Sequence, residues 1–108
     1  MSDLWSEITN RISYLDELTE QAADLGVKAA QADADYRQAL SIATAELRGQ
    51  GMAVTVISDI LRGRADISSL RLARDCAEAI YRANQEAINT QKIAIKILNA
   101  QYEREWHG

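Results

Sequence analysis

The sequence carries a cluster of arginines whose chemistry suits the binding of phosphate. Five of the twelve basic residues fall within 27 consecutive positions, where even spacing would place three; they are Arg48, Arg62, Arg64, Arg71 and Arg74. Each guanidinium offers a planar fork of donors that matches a phosphate group. A short helix expected to start near Thr55 adds that hydroxyl and free backbone amides, which also attract anions. The cluster therefore predicts an anion-binding site made from these six residues.

The same arginines have a simpler interpretation, in which nearby carboxylates neutralise them. Arg62, Arg71 and Arg74 could pair with acids close in sequence or with acids of a partner subunit; the close ones are Asp59, Asp66 and Asp75. Surface ion pairs of this kind are common and contribute little. The sequence leaves both interpretations open.

The distribution of charge argues against a nucleic-acid partner. Residues 1–47 contain nine acids and three bases, whereas residues 48–74 contain five bases and two acids. An acidic first half repels a phosphate backbone, and five arginines are too few for strong binding to one. Residues 54–73 are spaced like a helix-turn-helix motif with Gly63 at the turn. The second helix, however, lacks the closely spaced basic and polar side chains that contact DNA bases. We therefore do not expect nucleic acid as a partner.

The residue types that catalysis requires are scarce. The only histidine, His107, is next to the last residue, and the only cysteine, Cys76, has no histidine nearby in sequence. One cysteine and one histidine cannot complete a zinc site. The Gly49-x-Gly51 string lacks the strand and the lysine-serine pair of a phosphate-binding loop. We predict no enzyme activity, no catalytic residue, no metal and no cofactor.

Composition predicts a single helical domain over residues 1–108 and a cytoplasmic location. The 108 residues include no proline and no phenylalanine, and alanine and other helix-forming residues dominate. A lone cysteine gives no internal disulfide. The N-terminal residues lack the basic start and apolar run of a secretory signal, and no stretch has the roughly 20 apolar residues of a membrane span. We expect no membrane contact.

The arginine cluster must be positioned by helices, and the longest is predicted over about residues 3–48. Ser2 or Asp3 can cap its start, Gly26 is a weak point that allows a bend or short break, and Gly49-Gln50-Gly51 ends it. Its apolar residues recur every three or four positions, as in a helix that buries one face. The stripe comprises Leu4, Ile8, Ile12, Leu15, Leu18, Ala22, Leu25, Ala29, Ala32, Tyr36, Leu40, Ala43 and Leu47.

Two further helices complete an all-α chain. A short one over about residues 54–62 is predicted to be capped near Thr55 and stopped at Gly63. A long one over about residues 67–106, capped by Asp66 or Ser68, should run antiparallel to the first and form a long helical hairpin with the short helix at its tip. Its predicted face comprises Leu70, Ala73, Ala77, Ile80, Ala83, Asn84, Ala87, Ile88, Gln91, Ala94, Ile95, Leu98 and Tyr102.

A two-helix hairpin forms only one packed layer, which predicts self-association. Leu72, Cys76, Ile93 and Ile97 lie off the main face of the third helix, so that its apolar surface is wider than one partner helix covers. We expect a homo-oligomer, most simply a dimer that forms a four-helix bundle. Asn84 and Gln91 lie within the stripe, where polar groups either fix the register or stay partly exposed.

Aromatic residues gather at the end of the hairpin that holds both termini. Trp5 and Tyr14 of the first helix should lie beside Tyr102 and Trp106 of the third. These rings either close the bundle or form a patch that binds a partner.

Several short segments along the chain are similar to segments of a known group of proteins. They are Leu4-Trp5, Tyr36-Arg37 with Leu40, residues 51–59, Arg62-Gly63, Leu70-Arg71 with Arg74-Asp75, residues 86–89, and Arg104-Glu105-Trp106. With them the chain resembles small uncharacterised helical-hairpin proteins of Gram-positive bacteriophages and prophages. The resemblance implies a phage accessory protein, active in the host cytoplasm, and such proteins often antagonise host defence or assist phage recombination.

Together these patterns favour a binding role without catalysis. Our first hypothesis is a host-defence antagonist whose arginine-rich tip sequesters a phosphate-bearing nucleotide signal or blocks a defence protein. The alternative is an accessory protein for phage DNA recombination or replication that acts through protein contacts.

Overall fold

The computed structural model describes residues 2–107, and three helices account for nearly all of them. They are α1 (Ser2–Gly49), α2 (Val54–Gly63) and α3 (Ala65–His107), and no strand occurs in this range. The prediction of an all-helical chain is confirmed. The helices start and stop within two residues of the predicted bounds. None of the described helices has the length and apolar content needed to cross a membrane.

Helix α1 runs without interruption through its one internal glycine. Gly26 lies within the helix, so no break occurs at the weak point that the sequence suggested. The long run of helix-forming residues on both sides outweighs the cost of one glycine, about 1 kcal/mol. The proposed cap at the start cannot be assessed for Ser2, whose side chain lies outside the described ones, and Asp3 lies in the first turn of α1.

The chain forms two compact units, one of which comprises residues 25–80. In this unit the last part of α1, all of α2 and the first part of α3 share one core. Its buried members are Ala43, Leu47, Ile57, Leu61 and Ile67, and Tyr36, Ala39 and Leu40 pack against it. Ile57 and Leu61 are one helical turn apart, so that a single face of α2 enters this core.

The end of α1 is fixed by a Schellman turn. Gly51 has a φ of 85°, which a residue with a side chain rarely adopts. The Met52 amide donates to the Leu47 carbonyl at 3.2 Å and the Gly51 amide to the Arg48 carbonyl at 3.0 Å. These two bonds satisfy carbonyls that the helix end would otherwise leave free. The glycine pair predicted to end the first helix does so.

The links at both ends of α2 differ from the prediction. Residue Ala53 is the N-cap, in an extended conformation and without a side-chain bond, while Thr55 lies inside the first turn. At the other end one extended residue, Arg64, joins α2 to α3, and its carbonyl accepts the Ser68 amide at 2.9 Å. Helix α3 therefore begins at Ala65, with Asp66 in its first turn and not at its cap.

The second unit comprises the residues up to Asp24 and those from Tyr81 onward. Here α1 and α3 run antiparallel. Their contacts pair Trp5 with Tyr102, Arg11 with Gln91, and Leu18 with Asn84. The buried residues of this unit are Ile8, Leu18, Asn84 and Ile88. The stripe of α1 is confirmed with one correction, since Ile12 is 44% exposed.

Candidate functional site

A cleft of about 300 Å³ opens in the unit formed by residues 25–80, and two of the predicted arginines lie on it. We call it the arginine-rimmed cleft. Its walls come from all three helices: Tyr36, Leu40 and Thr44 of α1, Val54, Ile57, Ser58, Leu61 and Arg62 of α2, and Ile67 and Arg71 of α3. The floor is apolar because Ile57, Leu61 and Ile67 belong to the core.

Arg71 is held at the cleft by the end of α2. Its Nη2 donates to the Arg62 main-chain carbonyl at 2.7 Å. That carbonyl lies in the last turn of α2, where main-chain acceptors are unpaired and the helix dipole attracts a cation. No carboxylate of the described residues pairs with Arg71. The remaining donors of its guanidinium are therefore available to an anion.

The Arg62 side chain extends from the last turn of α2 and is exposed. It forms no ion pair or hydrogen bond with a described residue, and the expected pair with Asp59 is absent there. Two guanidinium groups thus lie on one cleft, and no acidic side chain lines it. This arrangement has the donors and the local positive charge that bind a phosphate group.

Arg64 is neutralised and does not contribute to the cleft. Its Nε and Nη2 donate to the two carboxylate oxygens of Asp66 at 2.8 and 2.9 Å. The hydrogen bond from Arg64 is the main cause that lowers the pKa of Asp66 to about 2, and the Ile67 amide, which donates to the same carboxylate at 2.9 Å, assists. The same bond raises the pKa of Arg64. The sequence interpretation named no acidic partner for Arg64; of the three arginines that it expected to be paired, only Arg74 pairs with an acid, Asp75.

Arg74 is also paired with an acid, and its guanidinium contacts a residue of the cleft. Its Nε and Nη2 donate to one oxygen of Asp75 at 3.0 and 2.9 Å, which raises the pKa of Arg74. The guanidinium carbon lies 4.4 Å from the centroid of the Tyr36 ring, within the range of a cation–π contact. Because Tyr36 lines the cleft, Arg74 acts as a positioning residue for that ring.

A second depression of about 470 Å³ adjoins the first and shares Leu40 and Thr44 with it. It is lined by Arg37, Leu40, Ser41, Thr44, Ala45 and Arg48, again without an acid. Arg48 makes no ion pair with a described residue, whereas Arg37 donates to Asp33 at 2.8 Å. The predicted residue Arg48 is therefore near the cleft but not on it.

Thr55 is another predicted site residue that does not line the cleft. It is exposed, lies in the first turn of α2 and lines neither depression. The cap of α2, predicted near Thr55, is Ala53, two residues earlier.

Several residues of the cleft and of the second depression were missed from the sequence. Tyr36 was assigned only to the packing stripe, and Ser58 and Arg37 were not considered as site residues. A signal for Arg37 exists, because it precedes Arg48 by eleven residues and positions eleven apart lie on the same side of a helix. The i, i+4, i+7, i+11 run of Arg37, Ser41, Thr44 and Arg48 marks that side.

The aromatic cluster at the ends of α1 and α3 forms largely as predicted. The ring centroids of Trp5 and Tyr102 are 5.6 Å apart, and those of Tyr102 and Trp106 are 6.2 Å apart. Tyr14 makes no ring contact within the described range and is 47% exposed. Its predicted place in the cluster is therefore wrong.

The described residues contain no group of three or more histidine, cysteine, aspartate or glutamate side chains that could hold a metal ion. The side chains of His107 and Cys76 are exposed. Comparisons with protein-family models, with curated proteins and with solved structures found no match to this chain.

Proposed function

We propose that this chain is a non-enzymatic binding protein that sequesters a small phosphate-bearing ligand of the nucleotide class in the arginine-rimmed cleft. The observation that carries the proposal is that Arg62 and Arg71 lie on one cleft and neither is neutralised by a described carboxylate. The other predicted arginines are either paired with an acid or set beside the cleft.

The remaining lining supports a ligand with an aromatic base. Tyr36 presents a ring that Arg74 holds in place, and Leu40 and Leu61 supply apolar surface. Ser58 offers a hydroxyl for orientation, and the Thr44 hydroxyl, which donates to the Leu40 carbonyl at 2.7 Å, can accept a hydrogen bond from a ligand. A volume of about 300 Å³ is at the lower end of the range for small-molecule sites, which favours a compact ligand.

The biological context of the proposal comes from the resemblance to small phage proteins. In that setting the chain acts in the host cytoplasm as a phage accessory protein, and it withholds a nucleotide signal from a host defence system.

The test is native mass spectrometry after incubation with a nucleotide pool, followed by calorimetry with each retained compound. Loss of a charged hydrogen bond removes about 1.5–3 kcal/mol, so Arg62→Ala or Arg71→Ala should weaken binding by about 10- to 100-fold. The matched control is Arg104→Ala, an exposed arginine of α3 that lies outside the cleft. Unchanged affinity in both cleft variants, or no retained compound, would contradict the proposal.

A second candidate function is supported by the outer surface of α2. Val56 and Ile60 lie one helical turn apart on α2 and are 49% and 39% exposed, and Met52, just before the helix, is 36% exposed. Exposed apolar patches mark protein contacts. They favour an accessory role in phage recombination or replication, or the blocking of a defence protein, through a protein partner. Pull-downs in which Val56→Lys and Ile60→Lys lose a partner would support this alternative.

A further inference from the structure

Half of the arginines in the unit formed by residues 25–80 have no acidic partner among the described residues. The unit contains six arginines, and three of them pair with an aspartate at 2.8 to 2.9 Å; they are Arg37, Arg64 and Arg74. The other three all line one of the two adjoining depressions. Arg62 and Arg71 line the arginine-rimmed cleft, and Arg48 lines the second depression.

The second depression adjoins the cleft along α1. Leu40 and Thr44, one helical turn apart, line both depressions, and both side chains are half-buried. Arg48 lies one further turn toward the end of α1, about 6 Å along the helix axis from Thr44. A ligand in the cleft can therefore extend past Thr44 into the second depression and stay in contact with the protein.

The second depression offers hydrogen-bond donors to an anion, and no acid lines it. Arg48 supplies a guanidinium fork, and the hydroxyl of Ser41 has no hydrogen-bond partner among the described residues. Arg37 also lines the depression, but Asp33 already neutralises that side chain. Because α1 alone provides the lining, an anionic group bound here stays partly hydrated, and its contribution to affinity is that of an exposed ion pair.

A ligand with a single phosphate group uses only one of the two depressions. No arginine lines both, so a phosphate held by Arg62 and Arg71 leaves Arg48 without a partner. The cleft of about 300 Å³ accommodates a compact group, and the second depression provides about 470 Å³ beside it. A ligand whose second phosphate is one nucleoside away from the first would occupy both spaces and engage all three arginines.

We propose that the second depression is a subsite for the second phosphate of a dinucleotide, and that Arg48 is the residue that binds it. The first nucleotide unit occupies the cleft, with its phosphate at Arg62 and Arg71. The inference rests on the proposed function, because it names the class of phosphate-bearing ligand that the same site takes.

Calorimetry with two matched sets of probes tests the subsite. The probes are the common 5′-mononucleotides and the corresponding homodinucleotides with a 5′-phosphate, which differ by one nucleotide unit. For the base that binds, the wild type should hold the dinucleotide more tightly than the mononucleotide. Arg48→Ala should weaken binding of the dinucleotide by about 2- to 5-fold, the effect of one exposed ion pair, and should leave the affinity for the mononucleotide unchanged.

Two further variants serve as controls. Arg48→Lys keeps the charge and should retain most of the affinity that the second phosphate adds. Arg104→Ala removes an exposed arginine of the other unit and should change the affinity for neither kind of probe. Circular dichroism should show the same helicity in all three variants, because both positions are exposed.

The failure of this inference is distinguishable from the failure of the proposed function. Equal affinity of the wild type for the two kinds of probe, or an equal loss of both in Arg48→Ala, would overturn the subsite and leave the proposed function intact. Arg62→Ala and Arg71→Ala should weaken both kinds of probe. If neither variant does so, or if no probe binds the wild type, the proposed function fails and the subsite fails with it.

Discussion

Asn84 of α3 donates a hydrogen bond from Nδ2 to the main-chain carbonyl of Leu18 in α1, at 3.0 Å, across 66 residues of sequence. The side chain is buried, and its Oδ1 accepts a bond from Gln85 Nε2 at 3.2 Å. Both ends of the amide are therefore satisfied, which is the condition under which a buried polar group is tolerated. Of the two interpretations of Asn84 that the sequence allowed, partial exposure is wrong.

Replacing Asn84 with alanine should lower the free energy of unfolding by about 1–2 kcal/mol, because a buried hydrogen bond is lost and a small cavity remains. Urea denaturation measures the change. Asn89→Ala, an exposed asparagine of the same helix, serves as the control and should be nearly neutral. Equal losses in the two variants would mean that the bond to Leu18 contributes nothing.

Tyr102→Ala should destabilise the chain more than Trp106→Ala. Tyr102 contacts two rings, whereas the contact of Trp106 is with Tyr102 alone among the described aromatic residues. Each aromatic pair contributes about 0.5–1.5 kcal/mol beyond the area it buries, so the difference should be of about that size. Urea denaturation with near-ultraviolet circular dichroism measures it, and Tyr14→Ala is the control because Tyr14 is half exposed and outside the cluster. The reverse order of the two losses would contradict the ring geometry.

Stability should fall in acid through the pair formed by Arg64 and Asp66. The pKa of Asp66 is about 2 in the folded chain and about 3.8 in the unfolded chain, so the stability that this group contributes is complete above the unfolded value and is lost as the pH falls from about 4 to 2. Thermal midpoints of the wild type and of Asp66→Asn should differ at pH 7 and converge near pH 2. Asp59→Asn, an exposed acid of α2, provides a control for the change in net charge. A difference that persists unchanged at pH 2 would argue against this cause.

Gly51→Ala should lower the free energy of unfolding by about 1 kcal/mol, because the φ of 85° is costly for any residue with a Cβ atom. Space is not the reason, since a Cβ at Gly51 would meet no atom within 4 Å. Gly49→Ala is a close control, as it has equal space and lies in the last position of α1. That variant should be neutral or slightly more stable, and equal destabilisation of both would disprove the conformational argument.

Much of the fold follows from helical spacing, and the errors have a common physical cause. The sequence interpretation chose Ile12 for the stripe of α1, yet Arg11 is the half-buried residue, and its Nε is buried without a partner. A helix turns 100° per residue, so position 11 is closer than position 12 to the line through Ile8, Leu15 and Leu18. Where only two helices pack, the angular position of a residue around its helix decides its burial more than its residue type does. For the same reason Ile80 is exposed and Tyr81 is half-buried in α3.

The site could be predicted only in part, because its outcome depends on short-range geometry between elements. The cluster of arginines and the pair of Arg74 with Asp75 could be predicted from the sequence, but the pair of Arg64 with Asp66 and the unpaired side chains of Arg62 and Arg71 could not. One extended residue links α2 to α3, and that link brings Arg64 to Asp66 and leaves Arg62 without a described partner. The backbone angles of such a link cannot be inferred from a count of charges.

The separation of contacts along the sequence sets an order of folding. Arg71 and Arg62 are 9 residues apart, whereas Arg11 and Gln91 are 80 apart. Closing the longer loop from a disordered chain costs about 2 kcal/mol more than closing the shorter one, so residues 25–80 should fold first and reduce that cost for the rest. During synthesis the apolar stripe of residues 4–22 therefore has no helix to pack on until residues 81–107 have been made, and it must stay soluble throughout that interval.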